Sequence, residues 1–271
     1  DPRARLLSAG AVIAGNTPEA ARNQAIANAD AGVDWLKLRV DDNLGSSRKM
    51  PWDAVQAVME VGNERGLRVA THLFYLEDAK RLLNMGTGMI AHSVRDTDVD
   101  QEFIDGLLES GICYVPTLTR EVSTYIYGTR PGFFDDEFFT EYAHEGEIER
   151  LSESAYMERT RESAPGAAYR IALVQAIQNM MILQDAGAPV TFGTDAGPAG
   201  RFPGYFEHME LALMVGGGMT PTQALLAATS VAASCLGLDD IGTLEPGKWA
   251  DFIVLDEDPT RDITYTQTID Q

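Results

Sequence analysis

Residues 68–94 read RVATHLFYLEDAKRLLNMGTGMIAHSV, and this stretch decides the fold. Two short apolar runs, RVATHLF (68–74) and MIAHSV (89–94), flank a helical pattern that closes at Gly86. Apolar runs of that length, bounded by turn residues, read as strands, so the stretch is a strand, a helix and a strand. Such βαβ units build parallel sheets covered on both faces, which explains strands that are apolar almost throughout.

The same alternation extends in both directions. LLSAGAVIA (6–14), DWLKLRV (34–40), CYVPTL (113–118) and PVTFGTDA (189–196) are further strand candidates, six in all with the first two. Thr17 and Pro18 open a helix that closes near Gly32, Pro51 opens another before Gly66, and a third runs from Asp98 to Gly111. In MTPTQALLAATSVAASCLGL, Thr220, Pro221 and Gln223 have capping-box spacing. The later segment GTLEPGKWADFIVLDEDP alternates apolar and polar residues around EPGK and reads as a hairpin of a separate sheet-like layer. The segment 119–188 is too long for a simple crossover. Its middle, RPGFFDDEFFTEYAHEGEIER, reads either as a lid over a site or, with more weight, as an amphipathic helix with Phe inward and acids in water.

Composition narrows the function classes. The 271 residues are 45% hydrophobic and 23% charged, and no apolar run nears the roughly 18 residues of a membrane span. A formal charge of −20 argues against nucleic-acid and anionic-membrane partners, which need clustered Lys and Arg. The opening DPRARLLSAG lacks the order of a targeting segment, so the compartment is open between a soluble cytoplasmic and a periplasmic setting. Cys113 and Cys235 lie far apart in apolar settings and read as buried free thiols.

In parallel α/β folds the functional side chains stand at the carboxyl ends of strands. Lys37 and Arg39 share one face of DWLKLRV, His72 and His92 lie near the ends of their strands, and Asp195 ends TFGTD. Singly, each has an ordinary structural explanation. Together, two imidazoles and a carboxylate at equivalent strand ends are ligand types suited to zinc and similar divalent ions. A buried lysine is costly as a cation, so Lys37 is expected to be neutral, paired or modified.

These residues resemble the amidohydrolase superfamily, in its imidazolonepropionase-like and Xaa-Pro dipeptidase-like branch. DWLKL, ATHLF, AHSV and FGTDAG match its fourth, fifth, sixth and eighth barrel strands, and EHMELALMVGGGMTPTQALLAATSVAASCLGL and GTLEPGKWADFIVLDEDP match the segments beyond. The resemblance implies a (β/α)8 TIM-barrel type fold with a small β-sandwich domain. It implies a metal centre holding one or two divalent ions, zinc first, with Lys37, His72, His92 and Asp195 as ligands and Lys37 carboxylated. Asp195 would take the proton of the attacking water, and His92 would act on substrate in members with one ion. Arg39 and Tyr75 are candidates for binding a substrate carboxylate, and His208 for a place near the site.

The family's HxH pair is missing: the histidines are His72, His92, His144 and His208. Matched to the family, the chain is expected to carry strands 3–8, with residues 1–240 as the barrel portion, 119–188 as a helical insertion, and 241–271 as a partial β-sandwich domain. An open sheet edge invites another chain, hence a homo-oligomer. The function implied is hydrolysis of C–N bonds in a small amide, dipeptide or cyclic amide by activated water. Alternatives are an inactive barrel fragment acting as a binding or assembly module, and a metal-free enzyme with Lys37 as a Schiff base.

Overall fold

A computed structural model describes residues 5–270. The first four residues, which open the stretch read for a targeting segment and the expected 1–240 portion, lie outside the described residues, as does Gln271 of the expected 241–271 domain. The chain divides between Tyr114 and Val115 into two compact units.

The first unit alternates helix and strand as its periodicity requires: α1 (Pro18–Asp30), β1 (Trp35–Arg39), α2 (Trp52–Arg65), β2 (Arg68–His72), α3 (Leu76–Asn84), β3 (Met89–Ala91), α4 (Gln101–Ser110) and β4 (Cys113–Val115). Local chemistry sets the ends. Thr17 caps α1 by accepting from Ala20 N–H with Pro18 just inside, and Gly66 and Gly111 close α2 and α4 in the left-handed conformation. The sheet runs in the order β1-β2-β3-β4, with β1 parallel to β2 and β2 parallel to β3.

Helix α2 lies close against one sheet face. A Cβ on Gly62 would stand 2.8 Å from the Leu67 carbonyl oxygen and 2.9 Å from Val69 Cγ2, so glycine permits the approach. Leu36 and Val69, partners in register, face this helix. Period-two alternation therefore puts Lys37, Arg39, Ala70 and His72 on the opposite face.

Two strand candidates pair less than expected. LLSAGAVIA contributes one parallel bridge, Ile13 to Leu38. PVTFGTDA contributes one bridge residue, Val190, and forms no ladder among the described residues. It is held instead by Ala227, whose carbonyl accepts from Phe192 N at 3.2 Å and Thr191 Oγ1 at 3.0 Å. Gly193 is needed there, because a Cβ would sit 2.6 Å from Val115 Cγ1. The cysteine expectation is also corrected: Cys113 and Cys235 are both disulfide-bonded.

The second unit is mostly helical. It comprises α5 (Leu118–Val122), α6 (Glu137–Thr140), α7 (Glu145–Ser152), α8 (Ser154–Arg161), α9 (Ala164–Asp185), α10 (Tyr205–Gly216), α11 (Pro221–Ala228) and α12 (Ser230–Leu236). The Phe-rich stretch is not one amphipathic helix; it breaks into 3-10 turns and short helices. Phe134 and Phe139 are buried with Tyr127, Leu151, Phe202 and Phe206, while Asp135, Glu137, Glu141 and Glu145 stay in water. The capping box opens α11 as expected: Thr220 Oγ1 accepts from Gln223 N, and Gln223 Oε1 accepts from Thr220 N. The hairpin around EPGK does not form. Leu244, Trp249, Phe252 and Ile253 are exposed, and the pairing beyond them is one antiparallel bridge, Leu255 to Ile269. Among the described residues the alternating pattern finds nothing to bury its apolar side, so no second sheet layer is built. None of the described helices is long and apolar enough to cross a membrane.

One buried acid organises this unit. Glu210 on α10 is fully buried; its Oε1 accepts from Leu118 N at 2.7 Å and its Oε2 from Thr119 N at 2.7 Å. It thereby satisfies the first N–H groups of α5. Thr119 Oγ1 lies 2.8 Å from Glu210 Oε2 and 3.1 Å from the Thr194 carbonyl oxygen, yet carries a single hydrogen. A proton on Glu210 would let the hydroxyl accept from the acid and donate to Thr194. Burial, opposed by these hydrogen bonds and helped by the nearby Glu121, pushes the Glu210 carboxyl up to about 7.

Because this carboxyl lies higher when folded, its contribution to stability is full below its ordinary value of 4.5 and fades as pH rises through about 7. Glu210→Gln is neutral throughout. The urea midpoint of the wild type should fall relative to that of Glu210→Gln between those pH values, and parallel profiles would contradict the assignment.

Candidate active site

The register of the sheet assembles the first half of the site. Arg39, His72 and Ala91 are partners across β1, β2 and β3, with Lys37 and Ala70 one row earlier on the same face. His92 follows Ala91, and simple alternation would turn it to the other face. Its backbone is left-handed instead, with φ +73°, and its imidazole meets that of His72 edge-on at 4.1 Å between ring centres. A non-glycine residue in that conformation is strained by of order 1–3 kcal/mol. His92 is buried, so the surrounding packing enforces the turn.

Asp41 is the partner that sequence reasoning missed. Its side chain is buried just past β1; Oδ2 lies 2.8 Å from His72 Nε2, and Oδ1 accepts from Asn43 N at 2.8 Å. Burial by itself would raise this carboxyl, but the His72 hydrogen bond and charge, Asn43 N–H and Arg95 outweigh it and hold it at about 2. An ionised Asp41 only accepts, so Nε2 of His72 donates to it. The signal was available in VDDN, two acids at the carboxyl end of a strand.

Arg39 and Tyr75 are drawn to the same loop. Arg39 bonds Asn43 Oδ1 and lies 3.9 Å from Asp41 Oδ2, while Tyr75 OH donates to Asp42 Oδ1 at 2.9 Å. Burial, with the Asp42 hydrogen bond, pushes the Tyr75 phenol up to about 12. Arg95 is buried too, donating Nη1 to the carbonyls of Leu73 and Ser93 and lying over the Phe74 ring.

In the second unit Asp195 ends its segment with φ +57°. Arg201 binds both its carboxylate and, at 3.2 Å, its carbonyl oxygen, and anchors Nε on Ser123 Oγ at 3.1 Å. The flanking Thr194 donates to Glu207 Oε1 at 3.0 Å and accepts from Ala196 N at 3.0 Å. His208 is held by Thr266 Oγ1 at 2.9 Å and by the edge of the Phe138 ring, and burial lowers its pKa. The structure thus brings His72 and His92 together, in register with Arg39 and one row from Lys37, and it pairs Asp195 with Arg201.

The donor chemistry fits a divalent ion. A histidine with one nitrogen on a buried carboxylate has the carboxylate partner that metal-ligating histidines take, and a second imidazole stands beside it. Among the described residues no three His, Cys, Asp or Glu side chains form a complete metal-binding group.

A parallel sheet with paired histidines at its strand ends defines an α/β protein consistent with the TIM-barrel type. The Amidohydrolase family model matches residues 16–269, and the chain belongs to that family. It is 44% identical over 103 residues to imidazolonepropionase of Deinococcus deserti, covering 38% of this chain and 25% of that protein. Imidazolonepropionase of Thermoplasma volcanium is 36% identical over 95 residues, 35% of this chain and 23% of that one. A Xaa-Pro dipeptidase solved with methionine bound in its active site superimposes with a TM-score of 0.68 at 24% identity, over 94% of this chain and 57% of that chain. Ochratoxinase of A. niger superimposes with a TM-score of 0.69 at 19% identity, over 94% and 52%. These structural likenesses concern the fold. The chain spans a little over half the length of the solved structures, and its matched stretches about a quarter of the curated relatives.

Asp41→Ala would remove the acceptor of a partly buried imidazole N–H and should cost about 1–3 kcal/mol, read as a lower urea midpoint. Asp41→Asn keeps an acceptor and should cost less; equal losses would mean that the hydrogen bond to His72 is not what matters.

Proposed function

We propose that this protein is a metal-dependent hydrolase of C–N bonds in a small amide, dipeptide or cyclic amide. The observation that carries the reading is the left-handed backbone of His92, which takes on strain to set one imidazole against another that Asp41 holds through Nε2. His72 through Nδ1, His92 and a carboxylated Lys37 would hold a divalent ion, zinc first, with Asp195 as a further ligand. The barrel to which β1 to β4 belong is proposed as the eight-stranded one of the family, represented here by its strands 3–8. When bound, such an ion lowers the pKa of water toward about 7 and polarises a carbonyl.

The protein's own groups do the rest. Asp195 is the proposed proton acceptor: it takes a proton as water adds to the amide carbon and returns it to the nitrogen as the C–N bond breaks, giving acid and amine. Arg201 positions that carboxylate through a bidentate grip on side chain and backbone. Arg39 and Tyr75, tied to the Asp41–Asn43 loop, would turn hydrogen-bonding groups toward a substrate carboxylate. Family membership and the likeness to imidazolonepropionases support the reading.

The tests separate ion from proton transfer. Zinc, manganese and iron measured per chain after purification should fall to background in His72→Ala and in His92→Ala; stoichiometric metal surviving both would defeat the site. Asp195→Asn should keep most of the metal while hydrolysis of a dipeptide panel drops by about 10²–10⁴-fold. Wild-type turnover in that variant would remove Asp195 from the mechanism.

A further inference from the structure

The second unit contains a cavity of about 710 Å³, within the range of small-molecule sites. One side of it is the turn Gly197–Arg201, closed by Gly197 N to Arg201 O at 3.0 Å and Arg201 N to Pro198 O at 2.9 Å. The same Arg201 that lines the cavity grips Asp195, so the cavity adjoins the aspartate through a single guanidinium.

Its other walls are rings. Phe138, Tyr142, Tyr205 and His208 line it, and contacts with one another, Phe133 and Thr266 already fix three of them. Tyr205 stacks on Phe133 at 4.9 Å, Phe138 meets His208 edge-on at 5.0 Å, and Thr266 holds His208 through Nδ1. Tyr142 lines the space while 76% exposed, an aromatic surface that the core does not use. Aromatic side chains at fixed angles favour a flat ring as guest, by stacking and edge contacts worth about 0.5–1.5 kcal/mol each beyond area burial. The charged lining selects further: Glu141 and Asp270 are acidic, Arg150 holds Glu147, and Asp195 engages Arg201, so a neutral group is favoured over an anionic one.

We propose that this cavity is an aromatic subsite of the hydrolase, receiving the neutral aromatic ring of an N-acyl amide substrate beside Asp195. The proposal rests on the hydrolase reading for the word substrate, and on the cavity alone for the ring.

The probes are N-benzoylglycinamide and N-acetylglycinamide, which share the amide and differ by the ring; each is titrated into the full chain by calorimetry without requiring turnover. The benzoyl compound should bind at least about tenfold more tightly, near 1.4 kcal/mol. Phe138→Leu and, independently, Tyr142→Ala should each cut that preference severalfold, with circular dichroism confirming that the variants fold. Equal affinity for both probes, or a preference untouched in both variants, overturns the subsite. Ring preference without hydrolysis of either probe under any metal leaves the subsite standing and counts against the hydrolase. Hydrolysis of both without ring preference does the reverse.

Discussion

Parallel pairing fixes, row by row, which side chains stand together, and the chemistry of the first unit hangs on one row. Arg39, His72 and Ala91 are partners because β1 and β3 flank β2 in a set register. A slip of one residue would send His72 to the face that α2 covers, where Gly62 is already in close contact with Val69 and Leu67. Burial of Leu36 and Val69 against that helix is therefore what keeps the imidazole on the face with Lys37. The apolar side of the sheet selects the register, and the polar side inherits it.

The second unit uses a buried acid where the first uses a ladder. The segment before Asp195 is bridged at Val190 alone and builds no ladder, so its position depends on separate anchors: Ala227 for Thr191 and Phe192, Thr119 for Thr194, and Arg201 for Asp195. Glu210 stands behind Thr119 and the start of α5. A carboxyl pushed up to about 7 by burial is costly to keep ionised, and its two N–H donors offset part of that cost. Removing it would loosen α5, α10 and the Thr194 carbonyl together.

Much of this was legible in the sequence where the determinants are local. The helices α1, α2 and α4 begin and end at Thr17, Gly66 and Gly111 because caps and left-handed glycines act within a few residues. The pairing of His72 with His92 follows from strand-end placement, although the backbone turn that completes it does not, since strand alternation forbids it. Asp41 obeyed the same strand-end rule and was passed over. What failed was non-local: the hairpin at EPGK and the strand PVTFGTDA have the right alternation, but a strand exists only when a partner accepts its backbone, and pattern does not supply one. The pairing state of Cys113 and Cys235 is likewise not written in their spacing.

Two of the residues proposed for chemistry share a backbone device. His92 and Asp195 both take left-handed φ values, +73° and +57°, where glycine would be unstrained. Glycine would relieve of order 1–3 kcal/mol at each position and keep the chain path. Each side chain retained there has a specific neighbour: His72 for His92, and Arg201 for Asp195. A left-handed residue also reverses the alternation at that point, so it aims a side chain where the regular strand could not. The strain and the altered direction are one event.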